Sequence, residues 1–243
     1  MIRIRFIFFH LLLIALLTSC DNDFDDNLLS QREVADIVFK QVRVNDVFSV
    51  VLKQDTDFRV EISAPESSIN GIDCFVNGDT LELFDRNSRK WRTGYVTPQV
   101  TIYFPTLEYF RAYAPGNIST LGTIVQSNFK VFITRHIGTV NLNVDVENLS
   151  LFAGNTDNMG RYIVQGRANY AYLWMRNGCF LDAQNLELGS ARVINNSYNN
   201  IFINIDSKLR VILNSSGNVY YRGNPSEIII EEQSSTGKLI RLQ

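Results

Sequence analysis

The chain has 243 residues, of which 45% are hydrophobic and 20% charged, with a formal net charge of −2. This hydrophobic content is sufficient to bury a core, which excludes disorder for most of the chain. The near balance of charge argues against a nucleic-acid-binding protein, because such a protein needs an excess of Lys and Arg. The hydrophobic residues are rich in Val, Ile, Leu, Phe and Tyr, which favour strands, so the composition predicts an all-β protein.

Residues 1–19 are predicted to be a signal peptide. Arg3 and Arg5 precede an apolar run over residues 6–17, interrupted by one histidine. About twenty residues are needed to span a bilayer, so this shorter run is typical of an export signal. The run ends in Leu-Thr-Ser-Cys at Cys20, which resembles the lipobox of bacterial lipoproteins. The resemblance implies acylation of Cys20, palmitate included, and durable membrane anchoring. An ordinary secretory signal that happens to contain a cysteine is the alternative.

Residues 20–36 are predicted to be a flexible tether. The stretch from Asp21 to Asn27 contains four aspartates and is too polar to pack. An acidic stretch directly after a lipidated cysteine also resembles the surface-export signal of lipoproteins in some Gram-negative bacteria. That resemblance implies an outer-membrane protein, lipid-anchored and exposed on the cell surface, whereas a plain solvated leash is the alternative.

One dense basic run follows at 86–92. Within it, Trp91 could stack on a ligand ring, and Arg89 and Arg92 could meet an anionic glycan or a lipid head group. A solvated hairpin loop is the alternative interpretation, and charge runs usually have that role. Arg89, Trp91 and Arg92 are therefore candidate ligand-binding residues.

From Leu107 onward, short apolar segments recur at nearly regular intervals of 21, 21, 18 and 19 residues. These segments begin at Leu149, Tyr170, Ala191, Leu209 and Ile228. Each is followed, after a small polar turn, by a second short segment. Two strands in roughly 20 residues are typical of one coil of a β-solenoid, in which stacked neighbours bury the apolar faces. We predict about seven such coils in residues 107–243; an antiparallel sandwich is the alternative.

Residues 209–225, Leu-Arg-Val-Ile-Leu-Asn-Ser-Ser-Gly-Asn-Val-Tyr-Tyr-Arg-Gly-Asn-Pro, resemble the closing repeats of the head domain family of autotransporter adhesins, a family of unknown function. Residues 48–54 and 60–64 look like the opening hairpin of that domain. Residues 80–83 and 100–107 are similar to its transition into the coils.

The resemblance extends from about Ile37 to the C-terminus. It implies a right-handed parallel β-helix, with an N-terminal β region containing a β-hairpin at 37–106 and the remaining coils at 107–243. It also implies an adhesin-like role. No catalytic residue follows from it, because the family supplies none that is established.

Tyr170, Tyr172 and Trp174 alternate along one predicted strand and therefore share a face. Rings that point outward would form a platform on which a sugar or peptide could stack, with Tyr220 or Tyr221 two coils later. Because the intervening Ala, Leu and Met residues are also apolar, the pattern favours inward packing of the rings. We retain the three rings as candidate ligand-binding residues.

No catalytic residue, metal site or cofactor is predicted. His136 has no identifiable nucleophile or orienting acid beside it. A polysaccharide lyase or hydrolase on the same scaffold would need acids grouped on one coil face, and the acids look dispersed over turns. These acids are Asp145, Glu147, Asp157, Asp182, Glu187 and Asp206.

Cys74 and Cys179 lack the spacing of a metal site. In an exported protein they could form a disulfide or remain separate buried thiols, and the sequence leaves both readings open.

The sequence thus predicts a protein anchored in the membrane through Cys20 that binds an extracellular glycan or protein without catalysis. A carbohydrate-active enzyme and a passive structural envelope protein are the two alternatives.

Overall fold

The computed structural model describes residues 28–88, 95–135, 137–154 and 157–243. These residues form a 17-stranded sheet and one short 3-10 helix, Ile69–Gly71. This confirms the all-β class. The strands are β1 (Leu29–Val34), β2 (Gln41–Val44), β3 (Ser49–Gln54), β4 (Arg59–Pro65), β5 (Ile72–Asn77), β6 (Thr80–Asp85), β7 (Gln99–Phe104), β8 (Tyr109–Ala112), β9 (Ile118–Thr120), β10 (Ile124–Ile133), β11 (Thr139–Ala153), β12 (Arg161–Asn177), β13 (Phe180–Ser197), β14 (Ile201–Leu213), β15 (Val219–Arg222), β16 (Glu227–Gln233) and β17 (Leu239–Arg241).

The strands stack in parallel to form two ladders. The first ladder runs in the order β6, β2, β8, β10, β11, β12, β13, β14, β16. The second ladder runs in the order β7, β3, β9, β11, β12, β13, β14, β15, β17. The long strands β11 to β14 contribute to both ladders, because the chain passes from one ladder to the other within each strand.

The predicted repeat of about 20 residues is confirmed by the pairing. Asn148 pairs with Tyr170, Tyr170 with Ser190, and Ser190 with Lys208, at intervals of 22, 20 and 18 residues. The result is a β-solenoid of about six turns, compared with the seven coils predicted.

A glycine marks the corner of β12. Buried side chains occupy even positions before Gly166 and odd positions after Tyr170, so the strand changes ladder between them. Gly166 has φ +105°, and a Cβ atom there would lie 2.1 Å from the carbonyl oxygen of Val144 in the neighbouring coil. A side chain at this corner would clash with the backbone of the adjacent coil.

The core is a column of side chains stacked from coil to coil. Leu149, Ala171, Ala191 and Leu209 lie beside one another in successive strands and are at most 1% exposed. No coil could bury these groups alone, so each depends on its neighbours. Ile228 continues the column in β16, the last strand of its ladder, and is 42% exposed.

The order of the first coils differs from their order in the sequence. β2 lies between β6 and β8, and β3 lies between β7 and β9, so β6 and β7 are stacked outside β2 and β3. The opening hairpin predicted for 48–54 and 60–64 is not formed, because β7 separates β3 from β4. The hairpin of this region is instead β5 with β6.

Part of the predicted tether is an ordered strand. Within 20–36, β1 pairs antiparallel with β4 along all six of its residues. The Arg32 side chain donates a hydrogen bond to the carbonyl oxygen of Ile72, and Val34 packs against the core. Backbone pairing thus compensates for the low apolar content of this segment. The described ranges contain no candidate for a membrane-spanning helix.

Candidate functional site

Three candidate rings lie on the outside of β12. Because Leu149 pairs with Ala171, the side chains of Ala171, Leu173 and Met175 point into the core and are 0% exposed. Alternation along the strand then turns the other side chains outward. Tyr170 is 39% exposed, and both Tyr172 and Trp174 are half-buried. The inward packing that the sequence pattern favoured is therefore wrong, because that pattern aligned Leu149 with Tyr170, one position out of register.

Two of these rings continue a row of aromatic side chains, which we call the aromatic strip: Phe132, Phe152, Tyr172 and Trp174. The ring centroids of Phe132 and Phe152 are 5.8 Å apart, and Phe152 lies 5.2 Å from Tyr172 and 6.1 Å from Trp174. The rings come from three successive coils and make the tilted and edge contacts that aromatic pairs favour. They form a continuous apolar surface along the first ladder.

A cleft of about 460 Å³ runs along one side of the aromatic strip. We call it the arginine cleft, and it is lined by Tyr113, Phe132, Thr134, Arg135, Phe152, Gly154, Trp174 and Arg176. Both arginine side chains are exposed. The guanidinium carbon of Arg176 lies 5.5 Å from the Trp174 ring centroid, within the range of a cation–π contact. Arg135 has φ +51°, an uncommon backbone conformation for a residue other than glycine.

The Trp174 ring is held by packing. Its Nε1 atom is buried and has no hydrogen-bond acceptor among the residues described. Phe152 and Arg176 are the ring and cation contacts that the structure records for the indole. The position of Trp174 therefore depends on the neighbouring coil.

Cations around the aromatic strip differ in their pairing. Outward on β14 and β13, Arg210 and Arg192 both pair with Glu231, with 2.8 Å between Arg192 Nη2 and the carboxylate. The hydrogen bond from Arg192 lowers the pKa of Glu231 and raises that of Arg192. Beside the arginine cleft, by contrast, neither Arg135 nor Arg176 forms an ion pair with any residue that the structure describes.

The sequence missed several residues of this surface. Phe132, Phe152, Arg135 and Arg176 were not predicted, although Phe132, Phe152 and Trp174 recur at intervals of 20 and 22 residues. Recurrence of aromatic residues at the coil period was the signal that could have identified them.

The other aromatic residues predicted nearby occupy a different surface. Tyr220 lies on the second ladder, where it stacks on Phe202 with ring centroids 4.8 Å apart, and Phe202 contacts Phe180. Tyr221 packs against the core.

The basic-run candidates Arg89, Trp91 and Arg92 lie outside the described residues. Cys20 and His136 do so as well.

Residues 38–225 match the family model described as "Putative auto-transporter adhesin, head GIN domain". The chain belongs to this adhesin head family.

Solved structures share the fold of this adhesin head domain. A "putative adhesin" from Bacteroides fragilis is 19% identical with a TM-score of 0.79, and the match covers 88% of this chain and 97% of that one. A "putative lipid binding protein" from Parabacteroides distasonis is 12% identical with a TM-score of 0.61, covering 88% and 97%. A "putative adhesin" from Parabacteroides merdae is 13% identical with a TM-score of 0.60, covering 88% and 96%. Among curated protein sequences, no match to the chain was found.

Two of the dispersed acids converge in the adhesin head domain. Asp145 and Glu147 line a shallow cleft of about 390 Å³ together with Arg167, and all three side chains are exposed. Arg167 pairs in register with Asp145 and with Glu187 in the flanking coils. A polysaccharide lyase or hydrolase on this scaffold would need acids grouped on one coil face in this way. In the described ranges, no group of three His, Cys, Asp or Glu side chains is arranged to hold a metal ion.

Both cysteines of the adhesin head domain that the structure describes are free thiols. Cys74 lies in β5, at the N-terminal end of the stack, and Cys179 precedes β13 and is 0% exposed. Burial raises the pKa of each thiol to about 11. Of the two possibilities left open by the sequence, the structure has the separate thiols.

Proposed function

We propose that this adhesin-family protein is anchored in the outer membrane through a lipidated Cys20 and holds an extracellular glycan or protein on the aromatic strip. Its role is binding rather than catalysis. The observation that carries the proposal is the outward orientation of Tyr172 and Trp174 beside Phe152, which gives the first ladder a half-buried row of rings that faces solvent. Aromatic rings with an apolar face and an accessible edge are enriched at binding surfaces.

Membership of an adhesin family supports the binding role. The long outer face of the first ladder agrees with it, since a stack of coils presents an extended surface rather than an enclosed pocket. Fold alone would not carry this argument, because solenoids host several kinds of function.

The anchor is tested with the full chain in a Gram-negative host fed an alkyne analogue of palmitate. The wild-type chain should be labelled and fractionate with the outer membrane, and Cys20→Ala should abolish both. Cys74→Ala is the matched control and should keep the label. Cleavage of the chain by protease added to intact cells tests surface exposure. An unlabelled wild-type chain would refute lipid anchoring.

Binding is tested by incubating the fluorescently labelled full chain, purified in detergent, with arrays of glycans and extracellular-matrix proteins. Trp174→Ala should lose the signals that the wild type gives. Phe202→Ala is the matched control, because Phe202 is also half-buried and outward but lies on the second ladder. Equal signals from wild type and Trp174→Ala would contradict the proposal. A chain that gives no signal on any array would favour a passive envelope component.

A carbohydrate-active enzyme remains the second candidate, because Asp145, Glu147 and Arg167 line one cleft. An acid pair can provide general acid and base catalysis of glycoside cleavage. Incubation with a panel of polysaccharides should release no new reducing or unsaturated ends. Release that is abolished by Asp145→Asn or Glu147→Gln would replace the binding role with an enzymatic one.

A further inference from the structure

The arginine cleft combines a floor of aromatic rings with cations that no described carboxylate neutralises. Arg135 and Arg176 are exposed at its edge, while Phe152 and Trp174 provide the rings. No acidic side chain is among the described residues that line it. Both guanidinium groups can therefore receive an anionic ligand, and guanidinium groups bind carboxylates through two parallel hydrogen bonds.

Positive charge is concentrated along the aromatic strip, although the whole chain is slightly acidic. Arg111 and Lys130 occupy outward positions on β8 and β10, next to the strip, and neither forms an ion pair with a described residue. On either side of this region the cations are paired: Arg43 with Glu82 over 2.9 Å, and Arg192 with Glu231. On the outward side of the first ladder, the cations without an ion pair to a described residue thus lie on the ring-bearing coils or directly beside them.

The backbone of this face distinguishes between classes of ligand. β10 to β13 are each paired on both sides within the first ladder, so their main-chain groups are already used. An extended peptide gains much of its affinity from main-chain hydrogen bonds at a free strand edge, which this face does not offer. It offers ring faces and guanidinium groups. A ligand with flat apolar faces and carboxylates of its own fits that chemistry.

We propose that the arginine cleft binds the carboxylate-bearing sugars of an acidic polysaccharide. The sugar rings lie against Phe152 and Trp174, and the carboxylates pair with Arg135 and Arg176. This inference rests on the proposed function, because it names the ligand class of the aromatic strip.

The test uses the full chain in detergent with three immobilised probes: polygalacturonate, the same polymer after reduction of its carboxyl groups, and polyglutamate. The wild type should bind polygalacturonate and not the reduced polymer. Arg135→Gln and Arg176→Gln should each weaken binding about tenfold, since each removes a charge-assisted contact. Trp174→Ala should weaken it similarly. Arg222→Gln is the matched control, because Arg222 is exposed on the second ladder and should leave binding unchanged.

The variants replace exposed or half-buried side chains, so thermal unfolding followed by circular dichroism should show that they fold. One result would overturn this inference and leave the proposed function intact. In that result the wild type binds polygalacturonate and the carboxyl-reduced polymer equally well, and Trp174→Ala weakens binding while the arginine variants do not. Equally tight, arginine-dependent binding of polyglutamate would show that charge alone is recognised and would also overturn it. Binding of neither form of polygalacturonate overturns it as well, while the array experiment with Trp174→Ala still decides the proposed function separately.

Discussion

The Tyr162 hydroxyl donates a hydrogen bond to Oδ1 of Asn158 inside the solenoid, over 3.0 Å. The same Oδ1 accepts the N–H of Gly160, and Nδ2 of Asn158 donates to the carbonyl oxygen of Ile133. Asn158 is 0% exposed, so its polar atoms have exchanged water for these partners. This side chain ties the turn before β12 to the end of β10, directly beside the arginine cleft.

We expect Asn158→Ala to lower the free energy of unfolding by about 2–3 kcal/mol, because it removes three buried hydrogen bonds and takes away the acceptor of the Gly160 N–H. Tyr162→Phe removes one of these hydrogen bonds and should cost about 1 kcal/mol. Urea unfolding measures both values. The control is Asn148→Ala, an exposed site that should change stability by less than about 0.5 kcal/mol. A cost for Asn158→Ala no larger than that of the control would contradict the proposed role of the turn.

Because the coils stack, we expect alanine substitutions along one column of the core to lower the free energy of unfolding by different amounts. Leu209 is covered on both sides, by Ala191 and Ile228, and is 0% exposed. Leu209→Ala should therefore lower the free energy of unfolding by about 2–5 kcal/mol. Ile228→Ala, at the partly exposed end of the column, should cost about 1 kcal/mol or less. Chemical denaturation measures both costs. Equal costs for Leu209→Ala and Ile228→Ala would contradict this prediction.

The ion pairs of Glu231 predict that the stability of the protein falls at acidic pH. Since the pKa of Glu231 is lowered by its hydrogen bond from Arg192, the stabilisation is present above the ordinary value of 4.5 and is lost as the pH falls through the lowered pKa. Wild type should have the higher Tm at neutral pH, and its advantage over Glu231→Gln should shrink as the pH falls below 4.5. Calorimetry at a series of pH values checks this. A difference in Tm that does not change with pH would contradict it.

Burial of Cys179 predicts that the stability of the protein falls as the pH rises in the alkaline range. Its pKa is raised from 9.0 to about 11 by burial, so the unfolded chain releases the thiol proton first as the pH rises. Stability should therefore fall between pH 9 and about 11, and Cys179→Ala should reduce the fall. The folded wild type should also resist alkylation of Cys179 at neutral pH, as checked by mass spectrometry, and should be labelled once unfolded.

The repeat could be predicted because turns and apolar segments recur at the coil period, and that period follows from local chemistry. The direction of the rings in β12 could not. Tyr170 to Met175 is apolar at every position, so alternation carries no information about which side is the core. The register with Leu149 decides the matter, and that register is a contact between two coils, which the pattern within one strand does not show.

The arrangement of the first coils also could not be predicted from local sequence patterns. Residues 48–54 and 60–64 look like a hairpin because they are close in sequence and both alternate. Yet β3 has both edges occupied by β7 and β9, which lie much further along the chain. The strand at 29–34 was missed because its stability comes from backbone pairing with β4 rather than from apolar side chains.

The proposed function depends on the register between β11 and β12, which turns the side chains of Tyr172 and Trp174 outward. Ser150 lies beside Tyr172, so cysteines introduced at these two positions should form a disulfide under mild oxidation. Cysteines at Ser150 and Arg192 lie in the same column but two coils apart, about 9.6 Å, and should not. Peptide mapping by mass spectrometry reads out both pairs. A disulfide between 150 and 172 is the result we predict, and its absence in a folded chain would contradict the outward orientation of the rings.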